Sequence, residues 1–234
     1  MSFNPKFPWF PNIDSFINRK QIFNHLKNSA PYFKGKLLDV GCGVMPYRSF
    51  LRAETKIDEY VGMDLANTEI YDQIKPDISW DGYNIPLPND SVDSVLLTEV
   101  LEHCPEPNAV LKDVNRVLKG DGYVVFSVPF LWYLHETPWD FYRYTPFAMK
   151  KMFEENNFEL EKLELFGSND LSFLHTYFIW LKKGALPKLI RFFLYFISLP
   201  IILLFLLFAN GKNRPDFKEG QLFIGIVGVA KKKK

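Results

Sequence analysis

The residues that could do chemistry are a glycine turn, a series of carboxylates and a histidine-bearing aromatic loop. Gly41 and Gly43 follow an apolar run ending in Asp39 and Val40, and Pro46 comes just after them. Glycines at such a turn let the backbone pass close to a ligand, because no Cβ intervenes. A helix starting there offers free N–H groups and a positive dipole end, which suits a carboxylate or a phosphate. Asp64 lies about 20 residues further on, the separation expected of an acid that accepts hydrogen bonds from ribose hydroxyls. The candidate ligand is therefore a nucleotide-type cofactor. A dinucleotide fingerprint needs a third glycine where this chain has Pro46, which argues against one.

Several elements must position these groups. Residues 36–40 read as a buried strand, followed by the glycine turn and a helix over 46–54. Residues 59–65 read as a second strand ending at Asp64. Ile78 centres a short third strand that Asp81 and Gly82 close. Residues 94–98 form an apolar fourth strand. Pro107 starts a helix over 108–118, closed by Gly120. Residues 123–129 form the fifth strand and 146–156 another helix. Residues 158–166 and 222–230 are the sixth and seventh strands. Ahead of all this, three prolines make 1–11 an extended arm. Asp14 or Ser15 can cap a helix running to about residue 28.

The run LLDVGCG resembles motif I of class I S-adenosylmethionine-dependent methyltransferases. The runs LPNDSVDSVLLTEVLEH and LKGDGYVVFSVP are similar to the bacterial small-molecule methyltransferases of that class. The family often carries a third glycine where this chain has Met45. The resemblance implies an α/β fold with a Rossmann-like, seven-stranded, mostly parallel sheet. Its last strand is antiparallel, and helices cover both faces. It implies S-adenosyl-L-methionine as cofactor, held by Asp39, Gly41, Cys42, Gly43, Asp64, Leu65, Asp81, Gly82, Thr98 and Glu99. Asp64 would grip the ribose, and Asp81, or less readily Asp77, the adenine amino group. His103 is a packing residue in this reading, or else a base.

Residues 130–146 follow the fifth strand and so overhang the ligand crevice. A similar H-x-x-P-x-D-F-x-R-Y-T run occurs in a subset of bacterial methyltransferases. His135 is the candidate general base and sole catalytic assignment. Asp140, Tyr142, Arg143 and Tyr144 are candidate acceptor-binding groups; Asp140 and Arg143 could equally be a structural ion pair.

Between the sixth and seventh strands lie about 55 residues, where a short loop is usual. Residues 171–183 place Leu171, Leu174, Phe178 and Leu181 on one helical face, with Ser172, His175 and Thr176 opposite. Residues 192–209 carry no charge and give ~27 Å of helix, the lower limit for crossing a hydrocarbon core. This insertion, 171–209, is expected to contact a membrane. Both flanking strands must join one sheet, so the chain must enter and return: as two short segments, as one interfacial helix, or bent at Pro200. Lys182, Lys183, Lys188 and Arg191 before the run, and Lys212 and Arg214 after it, predict that both flanks are cytoplasmic.

The domain reading is an arm and helix (1–34), a methyltransferase domain (35–168), an apolar insertion (169–215), then the last strand and a basic tail (216–234). Net charge is +1, which gives no general case for nucleic acid. Cys42 and Cys104 make no disulfide framework and no metal spacing, so no metal ligands are expected. No secretory signal is expected at 1–11. The expected reaction moves a methyl group to a small-molecule, lipid-linked or glycan acceptor at the membrane surface, at oxygen. The rivals are an NAD-dependent oxidoreductase and a non-catalytic membrane-bound module. Oligomeric state is not legible.

Overall fold

The computed structural model describes residues 9–65, 75–208 and 216–233. The helices are α1 (Ile13–Asn28), α2 (Arg48–Glu54), α3 (Pro107–Val117), α4 (Pro146–Glu155), α5 (Asn169–Lys183) and α6 (Lys188–Phe208). The strands are β1 (Lys34–Val40), β2 (Lys56–Leu65), β3 (Ile78–Trp80), β4 (Val92–Thr98), β5 (Leu118–Pro129), β6 (Phe158–Phe166) and β7 (Gly225–Lys232). The seven strands form one sheet in the order β3-β2-β1-β4-β5-β7-β6. The first five pair in parallel, while β7 runs antiparallel between β5 and β6. A dinucleotide-binding sheet in the usual order continues with parallel strands, so this antiparallel insertion separates the two fold types. The expected fold is the observed one.

Burial explains the central strands. Leu37, Leu38, Val40, Val95, Leu96, Leu97, Val124, Val125 and Phe126 are fully buried, as expected where helices cover both faces. One face packs on α3 and α4 through Val110, Leu111, Val114, Met149 and Phe153. The opposite face is covered partly by α1, through Ile22 and Leu26, and partly by α5, through Leu171, Leu174 and Phe178.

Three local expectations are corrected. α1 begins at Ile13, and neither Asp14 nor Ser15 caps it; Ser15 Oγ instead donates to the Asn12 carbonyl at 3.3 Å. Gly120 does not close α3. Leu118 is already extended (φ −75°, ψ 132°) and opens β5. The register with β4 then jumps from Val92↔Leu118 to Ser94↔Tyr123. The two glycines and Asp121, at φ 64°, therefore absorb a bulge within the strand. Finally, Ser172 and His175 do not face solvent: both are fully buried. His175 Nε2 donates to the Leu131 carbonyl at 3.0 Å and its ring stacks on Trp132. α5 is thus part of the domain core.

α6 differs. Tyr195 and Ile202 are buried against the domain, while Phe193, Ile197, Ile201 and Leu204 are exposed. Among the described residues one helix is long and apolar enough to cross a membrane by length and composition. It is Lys188–Phe205, mean hydropathy 2.0, with 11% of the window buried. The helix continues through Pro200. β6 and β7 pair along their whole lengths, so the chain leaves the sheet and returns to it. Lys212, Arg214, most of the N-terminal arm and the last lysine lie outside the described residues.

Candidate active site

The site lies at the carboxyl ends of β1, β2, β4 and β5, where open α/β sheets bind ligands. The glycine turn is anchored from beneath: the N–H groups of Gly41 and Cys42 donate to the Met63 carbonyl at 2.8 and 3.1 Å. Gly41 (φ +67°) packs so closely that an added Cβ would lie 2.4 Å from Val100 Cγ2. Gly43 (φ +51°) has nothing within 4 Å of that position, so its open side faces the crevice. Met45, where glycine is common in this motif, takes the left-handed conformation at φ 51°. Its side chain turns inward and is 7% exposed. It fits because Gly62 on β2 lacks a Cβ: one built there would sit 2.9 Å from Met45 Sδ.

Asp64 is tied into this turn. Its Oδ2 accepts from Gly43 N–H at 2.7 Å and its Oδ1 from Leu65 N–H at 2.7 Å. Each carboxylate oxygen takes two hydrogen bonds, so each has one acceptor position left, which suits two vicinal hydroxyls. Asp81 accepts from the N–H groups of Tyr83 and Asn84 and from Asn84 Nδ2. These bonds hold its carboxyl below the usual carboxylate range. Its Oδ2 keeps a position for a further donor, such as an amino group. Gly82 (φ +89°) stands beside exposed Leu65, 3.6 Å from an ideal Cβ to Leu65 Cδ2, so the two flank one shelf. Asp77 is engaged elsewhere, accepting from Gly62 N–H at 2.8 Å. Asp39 faces inward, accepting from the buried Tyr60 hydroxyl. Burial pushes its carboxyl up to about 7, against the Tyr60 bond. Cys42 is buried, and that burial raises its thiol far above the usual range.

Thr98 ends β4 opposite Ser127. Glu99 follows in a left-handed conformation, φ 54°, the kind of sparsely populated backbone that clusters at functional sites. Its Oε1 accepts from Ser127 Oγ at 2.8 Å and its Oε2 from Asn18 Nδ2 at 3.2 Å. Burial raises this carboxyl, and the two bonds oppose the rise. α1 therefore lies across the mouth of the crevice; Asp14 on the same helix accepts from Tyr133 at 3.3 Å. Asn18 and Ser127 were not among the residues expected from sequence. Nothing in the sequence marks Asn18, whose partner is 81 positions away.

The loop after β5 brings His135 into the same region. Asp140, with a side chain 1% exposed, accepts from both the backbone N–H and Nδ1 of His135 at 3.1 Å. Arg143 pairs with Asp140 through two bonds of 2.6 and 2.8 Å. This fork holds the Asp140 carboxyl well below the usual range. Burial, followed by the charge of nearby His103, lowers the His135 imidazole. Asp140 and Arg143 are thus both an ion pair and the support of His135. Tyr142 donates to the Pro105 carbonyl at 3.0 Å, and buried Tyr144 to that of Leu101 at 2.8 Å. Both tyrosines brace the loop against the turn that follows β4. His103 Nδ1 lies 2.7 Å from the Trp139 carbonyl, and its ring meets that of His135 edge to face, centroids 4.6 Å apart.

Known proteins resemble this chain in part of its sequence and in fold. Residues 38–126 match the family model described as "Methyltransferase domain". An uncharacterized protein of Methanocaldococcus jannaschii is 31% identical over 93 residues, 39% of this chain and 36% of that protein. The chain thus spans little more than a third of that relative's length. A S-adenosylmethionine-dependent methyltransferase from Archaeoglobus fulgidus superposes with a TM-score of 0.58 at 18% identity, covering 96% of this chain and all of that one. A chain from the Haloferax volcanii complex of the Trm112 methyltransferase activator gives 0.53 at 21% identity, over 69% and 78%. The [4+2]-cyclase SpnF gives 0.56 at 14%, over 92% and 82%. Residues 38–126 thus resemble a methyltransferase domain, and the fold is like that of solved S-adenosylmethionine-dependent methyltransferases, with S-adenosylmethionine as the implied cofactor.

Proposed function

We propose that this protein transfers a methyl group from S-adenosylmethionine to a hydroxyl of a small-molecule, lipid-linked or glycan acceptor at a membrane surface. When bound, the cofactor supplies an electrophilic sulfonium methyl group. Asp64 accepts from the ribose hydroxyls and Asp81 from the adenine amino group, while Gly43 leaves the backbone open to close approach. His135 takes the acceptor's proton at Nε2, because Asp140 occupies Nδ1 and fixes the tautomer. Its lowered affinity for protons keeps it neutral near pH 7, as a base must be. Glu99, Ser127 and Asn18 hold α1 over the site and exclude water.

The observation that carries this reading is the His135–Asp140–Arg143 chain beside an exposed apolar lip of Leu134, Trp139 and Phe141. The membrane part rests on the exposed apolar face of α6. Since α5 buries Leu171, Leu174, Phe178 and Leu181 in the domain, membrane contact falls chiefly to α6, lying in the interface with its Tyr195 face on the protein. In this reading the protein is peripheral or monotopic, and the basic flank of Lys182, Lys183, Lys188 and Arg191 favours the cytoplasmic side.

The SpnF likeness shows that this fold also hosts other reactions, so the test must read methyl transfer itself. Labelled S-adenosylmethionine is incubated with the protein and with separated lipid, glycan and water-soluble extracts. Label entering a lipid or glycan fraction, lost in His135→Ala, supports the proposal. Label undiminished in His135→Ala, or none above the protein-free background, contradicts it; label confined to water-soluble products removes the lipid-linked and glycan acceptors.

A further inference from the structure

We propose that Glu102, His103 and His135 form a binding site for a divalent transition-metal ion. One ligand atom from each lies within 4.8 Å of the others. Glu102 is fully buried, and neither of its carboxylate oxygens has a hydrogen-bond partner. Burying a carboxylate in that state is costly unless something pairs with it. Its closest ionic neighbour is His103 Nε2, 3.8 Å from Oε1, too long for a hydrogen bond.

The imidazoles are prepared for the same task. The Trp139 carbonyl 2.7 Å from His103 Nδ1 can only accept, so Nδ1 carries the proton and Nε2 a lone pair. The Asp140 carboxylate imposes the same tautomer on His135. Two histidines, each with one nitrogen held by a carbonyl or carboxylate and the other bare, have the outer-shell pattern of metal ligands. Two nitrogens and one carboxylate favour ions of the zinc, cobalt and manganese range over magnesium or calcium, which prefer oxygen alone. Bonds of ~2.1 Å put neighbouring ligands roughly 3–3.5 Å apart. The trio must therefore draw in by about 1–2 Å at its widest, a movement that torsions of His135 on its loop can supply. Glu136 stands on the rim, its Oε2 3.9 Å from His103 Nε2, and can swing in as a fourth ligand.

Ion binding as such does not depend on the transferase reading; its role in transfer does. Three protein ligands leave coordination positions open toward the crevice. A hydroxyl oxygen bound there loses its proton at a lower pH; His135 serves as base in the ion-free site and as ligand in the loaded one.

The test is a titration of Co²⁺ into tag-free, EDTA-stripped full-length protein without S-adenosylmethionine, followed by visible absorption, with Zn²⁺ as competitor. The expected result is one saturable equivalent, displaced by Zn²⁺ and weakened at least about tenfold in Glu102→Gln and in His135→Gln. His25 and His175, the other two histidines, are buried, which limits background sites. If Glu102→Gln does not fold by circular dichroism, His135→Gln, a half-buried loop position, decides. Absence of saturable Co²⁺ binding, or undiminished binding in His135→Gln, overturns the proposal. S-adenosylmethionine affinity is measured separately on the stripped protein, so failure of the metal site and failure of the transferase reading give different results.

Discussion

His135 and Asp140 are joined twice: one carboxylate oxygen accepts from both the backbone N–H and the ring Nδ1 of the histidine, each at 3.1 Å. The carboxylate thereby sets the position and the tautomer of the imidazole, and Arg143 sets the carboxylate. Asp140→Asn should keep S-adenosylmethionine affinity within about twofold. It should lower the methyl-transfer rate by about 10- to 100-fold, the usual effect of losing a partner that orients a functional histidine. His135→Ala should cost about 10²- to 10⁴-fold. Steady-state kinetics with a separate cofactor binding measurement check both; loss of affinity with turnover spared would reverse the assigned roles.

Asp39 makes stability depend on pH. Its folded carboxyl sits at about 7, above its ordinary value near 4. Between these values the folded state holds a proton that the unfolded chain has released. Stability from this group is therefore full below about pH 4 and declines as pH rises through about 7. Asp39→Asn keeps an acceptor for Tyr60 and should flatten that decline, raising the melting temperature at pH 8 more than at pH 5. Buried His25, lowered to about 4 by burial, acts oppositely. Its contribution is lost as pH falls from about 6.5 toward 4, so His25→Gln should soften acid denaturation. Thermal melts across pH 4–8 test both signs.

The two turn glycines should fail differently. Gly41→Ala meets Val100 Cγ2 at 2.4 Å and carries a left-handed φ. It should lose more than the ~1–2 kcal/mol of the backbone alone. Gly43→Ala meets nothing and should lose about that backbone amount, yet bind S-adenosylmethionine at least tenfold more weakly if the open space belongs to the cofactor. Denaturant melts and calorimetry separate the cases.

α6 should behave as an interface helix. Ile197→Lys and Leu204→Lys, on its exposed face, should reduce sedimentation with anionic phospholipid vesicles several-fold and leave the melting temperature within a few degrees. Leu174→Lys, buried on α5, should unfold the domain. Vesicle binding that survives both α6 substitutions would remove α6 as the contact, and no vesicle binding by the native chain would remove the membrane assignment.

The sheet was legible because its strands are apolar runs bounded by turn residues, and β6 was expected at the bounds observed. The glycine turn and the carboxylate tied to it were legible from Gly41, Gly43 and Asp64. Met45 was not, since its fit depends on Gly62, a neighbour only across paired strands. The end of α3 was misread because Gly120 resembles a helix cap; the pairing of Leu118 with Val92 won, and the glycines went to a bulge. α5 looked two-faced because Ser172 and His175 are polar. Hydrogen bonds such as His175 to Leu131 let polar side chains be buried, and spacing along a helix does not reveal them. Glu102 and His135 approach one another only through the loop after β5, so no spacing rule joins them.

Calorimetric titration of S-adenosylmethionine into the native chain and into Asp64→Ala, with NAD as comparator, decides what the glycine turn holds. One equivalent of S-adenosylmethionine should bind the native chain, and NAD should not compete. Asp64→Ala should lose roughly 1.5–3 kcal/mol of affinity, the scale of hydrogen bonds to a charged group. Undiminished binding in a folded Asp64→Ala protein, or NAD bound in place of S-adenosylmethionine, would contradict the assignment.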